Sequence, residues 1–199
     1  MANLAPGTGV RLRAEVLRRL SFPPPDGADL IIAVHEAGLK APRSLATQVV
    51  GLVAGDLEWA GALSERHVEV QSEPGGDPRQ LVGEAVGTGR RLWEIVWPGD
   101  LLRDAERGPL DLVYRGERPW VVVGETSAGD LLAAPLNDAT NPKWYTPLLE
   151  RDEIVMRGSH KDVQLELAHL WTLPSSLAAV GDITEVAQAR LLEAVRGYF

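Results

Sequence analysis

The segment Asn141-Pro142-Lys143-Trp144-Tyr145 sets a cation beside two aromatic rings in a turn-forming stretch. Aromatic plus basic is the chemistry that stacks on a single-stranded base while holding its phosphate. The same residues also suit a loop anchor, with Trp144 tucked under neighbouring structure and its indole N–H on an acceptor. Two Gly-Thr-Gly triplets, Gly7-Thr8-Gly9 and Gly87-Thr88-Gly89, carry bare amides of the kind that bind anions at helix starts. Neither has the spacing of a nucleotide-binding fingerprint. Histidines stand at 35, 67, 160 and 169 and form no pair at helical metal-ligand spacing, so neither a metal nor another cofactor is expected. Ser159, His160 and Asp162 have the residue types of a nucleophilic triad, but sequence neighbours seldom converge in that geometry and no nucleophile elbow surrounds a serine.

These residues sit in a chain of 199 residues, 45% hydrophobic and 24% charged, which is enough to bury a core. There is no cysteine, which excludes disulfides, thiolate zinc sites and a cysteine nucleophile. No stretch approaches the roughly 18 to 20 apolar residues of a spanning helix, and the start lacks an apolar segment of signal-peptide kind. The expectation is a soluble, cytoplasmic chain without a membrane partner. Tryptophans at 59, 93, 97, 120, 144 and 171 read first as core packing.

Two regions differ in pattern, with the change near Arg90-Arg91-Leu92-Trp93. The natural division is 1–92 and 93–199, as two domains or as a core with a long N-terminal extension. In the first, Val10, Leu12, Val16, Leu17 and Leu20 recur at helical spacing until Phe22-Pro23-Pro24-Pro25. Residues 29–38 read as a second helix closed by glycine, residues 42–55 as a third opened at Pro42-Arg43-Ser44, and Asp56 as the cap of a fourth. Residues 67–71 alternate like a strand, and Pro78 opens a further helix. The N-terminal region is therefore expected to be mostly helical. In the second, residues 119–123, 130–134, 153–156 and 163–167 read as short strands. Asp182 or Thr184 caps a last helix with Ile183, Val186, Ala187, Leu191, Ala194 and Val195 as its apolar stripe. The fold class is α+β, with a small barrel or strongly bent sheet after the helical region.

Four pieces of residues 97–199 carry a resemblance. They are Pro98-Gly99-Asp100 with Leu101, Arg118-Pro119 running into Trp120-Val121-Val122-Val123, and Pro135-Leu136 closing the strand from Leu131. The fourth is Val163–Thr172 followed by Gly181-Asp182-Ile183-Thr184 and the helix to Val195. In this order they resemble the PemK/MazF family of toxin endoribonucleases. The resemblance implies an SH3-like β-barrel of the PemK/MazF type with a C-terminal helix, and a type II toxin that cleaves single-stranded RNA without metal. It also implies an antitoxin protein as partner and a homodimer. Arg118 matches the family's arginine at Arg-Pro. Where the family has Thr or Ser after its third-strand proline, this chain has Asn137, with Asp138 next and Thr140 further on.

Metal-free RNA cleavage needs a base for the 2′-hydroxyl, charge stabilisation at phosphorus and an acid for the leaving oxygen. Arg118 suits the second role, since a guanidinium holds a phosphate through parallel hydrogen bonds while staying charged. Asp138 suits the base if a loop after Pro135 turns it toward Arg118, and Asn137 or Thr140 donates to a phosphate oxygen. Arg115, Lys143 and Trp144 complete the RNA-binding set. The alternative for Arg118 is a strand-end ion pair with Glu117 or Glu125. A second functional reading is a catalytically inactive barrel serving as a protein-interaction module, and a third is an unrelated α+β enzyme whose site spans both regions. The net charge of −8 bears on these. Residues 1–92 carry 10 basic and 11 acidic side chains, and residues 93–199 carry 10 and 17. The excess acidity lies where an RNA groove would be expected. A groove there requires Arg103, Arg107, Arg115, Arg118 and Lys143 to share one face.

Overall fold

A computed structural model describes residues 4–35, 47–63, 65–99, 103–104, 108–109, 118–139, 147–158 and 161–199. Strands β1 (Gly9–Leu12), β2 (Asp29–His35), β3 (Thr47–Val53), β4 (Asp56–Leu63) and β5 (Val68–Ser72) form a five-stranded antiparallel sheet in the order β4-β3-β2-β1-β5. The N-terminal region is therefore sheet rather than mostly helix. Among the described residues of this region the α-helices are α1 (Ala14–Leu17), between β1 and β2, and α2 (Pro78–Ala85), after β5. The expected helices at 29–38, 42–55 and after Asp56 contain β2, β3 and β4 where they are described.

Burial explains the difference. β3 is buried at six successive positions, Thr47 through Leu52, because both faces of the sheet are covered. A strand buried on both faces loses its polar alternation and reads as a continuous apolar run, which periodicity cannot tell from a buried helix. Asp56 opens a strand and does not cap a helix. Ala54 and Gly55 take φ of 52° and 89° between the paired Val53 and Asp56, which is the two-residue type I′ hairpin that suits right-twisted strands. α2 begins at Pro78, as expected, with the Asp77 carboxylate accepting the Arg79 N–H at 3.0 Å. It ends at Ala85, before Gly87 and Gly89 at φ of 75° and 108°.

The rest of the chain comprises β6 (Glu94–Val96), β7 (Arg103–Asp104), β8 (Gly108–Pro109), β9 (Trp120–Glu125), β10 (Leu131–Asp138), β11 (Leu148–Leu149), β12 (Ile154–Met156), β13 (Val163–Leu165), β14 (Trp171–Leu173), β15 (Ala179–Ile183) and α3 (Glu185–Tyr198). The strands other than β7 and β8 form a nearly closed antiparallel barrel in the order β11-β13-β10-β9-β6-β15-β12, with β14 added on β10. The fold is thus α+β, with an antiparallel barrel and a C-terminal helix. The four strands expected from period and turn signals are present. β10 is the pivot, because it pairs β9 along most of its length, β14 at Leu131–Ala133 and β13 at Leu136–Asp138. Pro135 falls between the β14 and β13 pairings, where its missing N–H breaks neither ladder.

α3 buries Ala187, Leu191 and Val195 at the four-residue spacing of one helix face. Val186, expected in that stripe, is 85% exposed, since it lies a quarter turn away from Ala187. Arg190 holds α3 to the barrel: its Nη2 donates to Glu153 at 2.6 Å and its Nη1 to the Leu148 carbonyl at 2.7 Å.

Sheet and barrel share their core. Each of two hydrophobic clusters draws residues from both, one joining Val50, Leu57 and Ala60 to Val121, Leu132 and Leu170, the other joining Val49, Trp59 and Leu63 to Trp120, Ala133 and Trp171. Across this seam the Gln48 amide donates to the Leu170 carbonyl at 3.0 Å and accepts the Leu170 N–H at 2.8 Å. The Ala60 N–H donates to Thr172 Oγ1 at 2.8 Å, and Trp59 meets Trp171 edge to face with ring centroids 6.0 Å apart.

Two outcomes follow. Trp59→Ala removes one of the two tryptophans that fill the seam, so it should lower unfolding free energy by about 3–5 kcal/mol. Sheet and barrel should still unfold in one coincident transition when denaturant titrations are followed by circular dichroism and tryptophan fluorescence. Two separate transitions in the native chain would contradict the shared core. The second outcome concerns Glu153. Burial raises its pKa, but hydrogen bonds from Arg190 and the Glu150 N–H, with the Arg190 charge, outweigh that and hold it below the ordinary 4.5. A lowered folded-state pKa stabilises fully above that ordinary value and is lost as pH falls through the folded one. Thermal stability of the native chain should therefore fall on acidification below about pH 4.5, and Glu153→Gln should flatten that limb.

Candidate functional site

The register of β9 on β10 builds the site. Trp120 pairs with Pro135, and the Leu136 N–H donates to the Pro119 carbonyl at 3.0 Å, which brings Arg118 opposite Asn137. Arg118 Nη1 donates to Asn137 Oδ1 at 2.8 Å, and both side chains are half-buried. Among the described residues Arg118 makes this bond to a neutral amide and none to a carboxylate. Glu125, the ion-pair partner considered for it, instead accepts the Arg90 N–H at 2.9 Å. A guanidinium bonded to an amide keeps its full charge and several donors for an anion.

Asn137 and Asp138 lie in strand β10, which continues three residues beyond Pro135 where a turning loop was expected. Successive strand residues face opposite sides. Trp120, Val122, Leu131 and Ala133 serve one hydrophobic cluster, and Val121, Val123, Leu132, Ala134 and Leu136 serve the other. Continued to the strand ends, that alternation sets Arg118 and Asn137 on one face and Asp138 on the other. Asp138 is paired with Val163, and Lys161, two residues earlier, brings its Nζ to 3.9 Å from Asp138 Oδ2. The pair is exposed, with 74% of the Lys161 side chain and 49% of the Asp138 side chain accessible, so it holds weakly. The Asp162 carboxylate beside it accepts the Arg151 N–H at 3.1 Å.

Thr140, Arg115, Lys143 and Trp144 lie outside the described residues, as do Asp100, Arg107, Glu117, Ser159 and His160. Arg118 and Asn137 are brought together, while Asp138 is turned away from them. Lys161 escaped the sequence reading. Its only signal is its place two residues before the alternating Val163-Gln164-Leu165, which becomes informative once the pairing with β10 is known.

The glycine triplets are accounted for by the fold. The Gly7 N–H donates to the Ile32 carbonyl at 2.8 Å, and Gly7 O accepts from Gly75 at 3.0 Å. Gly89 packs against Glu125, whose carboxylate already takes the amide that a phosphate would use. This triplet borders a cavity of about 360 Å³ lined by Leu81, Glu84, Thr88, Glu125, Thr126 and Ser127. That cavity is acidic and repels anions. Among the described residues no group of three or more His, Asp or Glu is placed to hold a metal ion, and no helix is long and apolar enough to cross a membrane.

No family model matches the chain, and neither a curated protein nor a solved structure matches it.

A hydrogen bond between two half-buried side chains at a strand end contributes about 0.5–1.5 kcal/mol net. Arg118→Ala and Asn137→Ala should each lower stability by no more than that in thermal denaturation. A loss above about 3 kcal/mol would identify the pair as a structural clasp and not a site.

Proposed function

We propose that this chain is a toxin-like endoribonuclease that cleaves single-stranded RNA without a metal. Its barrel would be of the SH3-like PemK/MazF type. The Arg118–Asn137 hydrogen bond carries the reading. It leaves a half-buried guanidinium uncommitted to any described carboxylate, beside an amide with its own N–H donors, at the strand start where the resemblance sets the phosphate-holding arginine. The element order supports it too: Arg118-Pro119 leads into β9, Pro135-Leu136 lies within β10, and Gly181-Asp182-Ile183-Thr184 leads into α3. In this reading Arg118 and Asn137 grip the non-bridging phosphate oxygens while the 2′-oxygen bonds to phosphorus and the bond to the 5′-oxygen breaks. Water takes the 2′-hydroxyl proton and water protonates the leaving 5′-oxygen, and the charge that grows on the phosphate is met by the fixed cation.

The second reading, a barrel without catalysis that serves as a protein-interaction module, is favoured by one observation. Asp138, the candidate base, projects to the face opposite Arg118 and is engaged by Lys161.

Incubation of the full chain with single-stranded RNA in the presence of a metal chelator decides between them. The nuclease reading expects cleavage, reduced by about 10²–10³-fold in Arg118→Ala. Asp138→Asn should cost less than about tenfold, well short of the 10²–10⁴ of a general base. Intact RNA with the native chain, or cleavage unaffected by Arg118→Ala, would overturn it.

A further inference from the structure

The barrel region holds the excess of acidic groups, so an RNA-binding chain needs phosphate contacts beyond the one at Arg118. The five-stranded sheet supplies them. β5 is an edge strand whose neighbour is β1, and the register sets Arg11 directly opposite Glu69. Val10, Leu12 and Val68 turn into the core, so Arg11, Arg13 and Glu69 stand on the outer face.

Two arginines share that one carboxylate. Arg11 Nη2 donates to Glu69 Oε2 at 2.6 Å, and Arg13 Nη1 donates to Oε1 at 3.2 Å. Arg13 Nε also donates to the Arg66 carbonyl at 2.7 Å, which ties the cluster to the turn carrying Arg66 and His67. The Arg11 hydrogen bond holds the Glu69 carboxyl below its ordinary value, so it stays charged and cancels one guanidinium only. Arg11 is 65% exposed and Arg13 44%. Residues 9–20 and 65–72 together carry five arginines, at 11, 13, 18, 19 and 66, against three glutamates, at 15, 65 and 69. These two segments carry a small excess of basic groups in a chain of net charge −8.

We infer that the outer face of β1 and β5, through Arg11 and Arg13 held in place by Glu69, docks the phosphate backbone of single-stranded RNA. The inference rests on the RNA reading of the Arg118 site. Glu69 fixes the two guanidinium groups side by side, so less side-chain freedom is lost when each takes a phosphate oxygen. A sequence-independent docking strip of this kind delivers RNA to a cutting site without reading bases.

The test is fluorescence anisotropy of a labelled, uncleavable 2′-O-methyl oligoribonucleotide with the full chain, over about 50 to 200 mM salt. Arg11→Ala/Arg13→Ala should weaken binding at least tenfold at the lowest salt and reduce the log–log salt slope by about 1.4, at roughly 0.7 for each phosphate of a single strand that is no longer neutralised. Glu69→Gln should tighten binding severalfold, because its amide oxygen still accepts from a guanidinium and keeps it in place while the competing negative charge is gone. A merely structural ion pair predicts the opposite sign. An unchanged slope in the double variant, weaker binding in Glu69→Gln, or equal displacement of the oligonucleotide by poly-glutamate would overturn the docking strip while leaving the Arg118 site standing. No binding by the native chain would overturn both.

Discussion

Gln48 sits in β3 with both hydrogen-bonding atoms of its amide spent on the backbone of one residue, Leu170, in the run that enters β14. A buried peptide group left without partners costs about 1–3 kcal/mol, so this side chain must be present for the chain near Leu170 to be buried at all. Thr172 returns the arrangement two residues on, its hydroxyl accepting the N–H of Ala60 in β4. These bonds replace a strand ladder between sheet and barrel, and they fix which residues meet across the seam. Trp59 and Trp171 then fill the space between, edge against face. The barrel is nearly closed on its own, yet β14, β3 and β4 make one buried layer.

That seam also settles what surrounds the candidate site. β14 takes one side of β10 as far as Ala133, and β13 takes the same strand from Leu136. The last two residues of β10 are thereby held straight in a ladder. Asn137 is committed to the face it shares with Arg118 and Asp138 to the face it shares with Lys161. Geometry of this kind separates two roles that a free loop would let converge. In the proposed nuclease reading, charge stabilisation at Arg118 is compatible with the separation and proton transfer by Asp138 is not.

How much was legible beforehand follows from how each strand is covered. β13 alternates, β9 is preceded by Pro119, and the Thr126–Asp130 turn closes itself with the Asp130 N–H on Thr126 Oγ1, so the barrel strands announce themselves. β2, β3 and β4 carry no polar face to mark the period, and small residues such as Ala33, Ala60 and Ala62 mimic a helical run. Only the Ala54-Gly55 hairpin betrays them, and Asp56 after it imitates a helix cap. Arg118 could be singled out in advance. Its bond to Asn137 depends on the β9–β10 register, including the irregularity between Leu132 and Ala133, which no local pattern reveals.

The charge distribution gains meaning from the same architecture. Acidic residues in the barrel region are partly consumed in holding it together: Glu153 binds Arg190, Glu125 binds a backbone amide, and Asp162 binds the Arg151 N–H. A carboxylate spent on an N–H donor still carries its charge, so the field over the barrel stays unfavourable to a polyanion. In the proposed reading Arg118 holds one phosphate against that field because its guanidinium is half-buried, where screening is weak. Holding a strand of several phosphates is different, since each adds repulsion from the acidic surface. The fused sheet changes the balance. By sharing a core with the barrel it carries Arg11 and Arg13 in the same folded unit, so in the proposed RNA reading the cost of bringing these cations to the nucleic acid is met within that unit. Separate domains on a flexible linker would have to meet that cost again at every encounter.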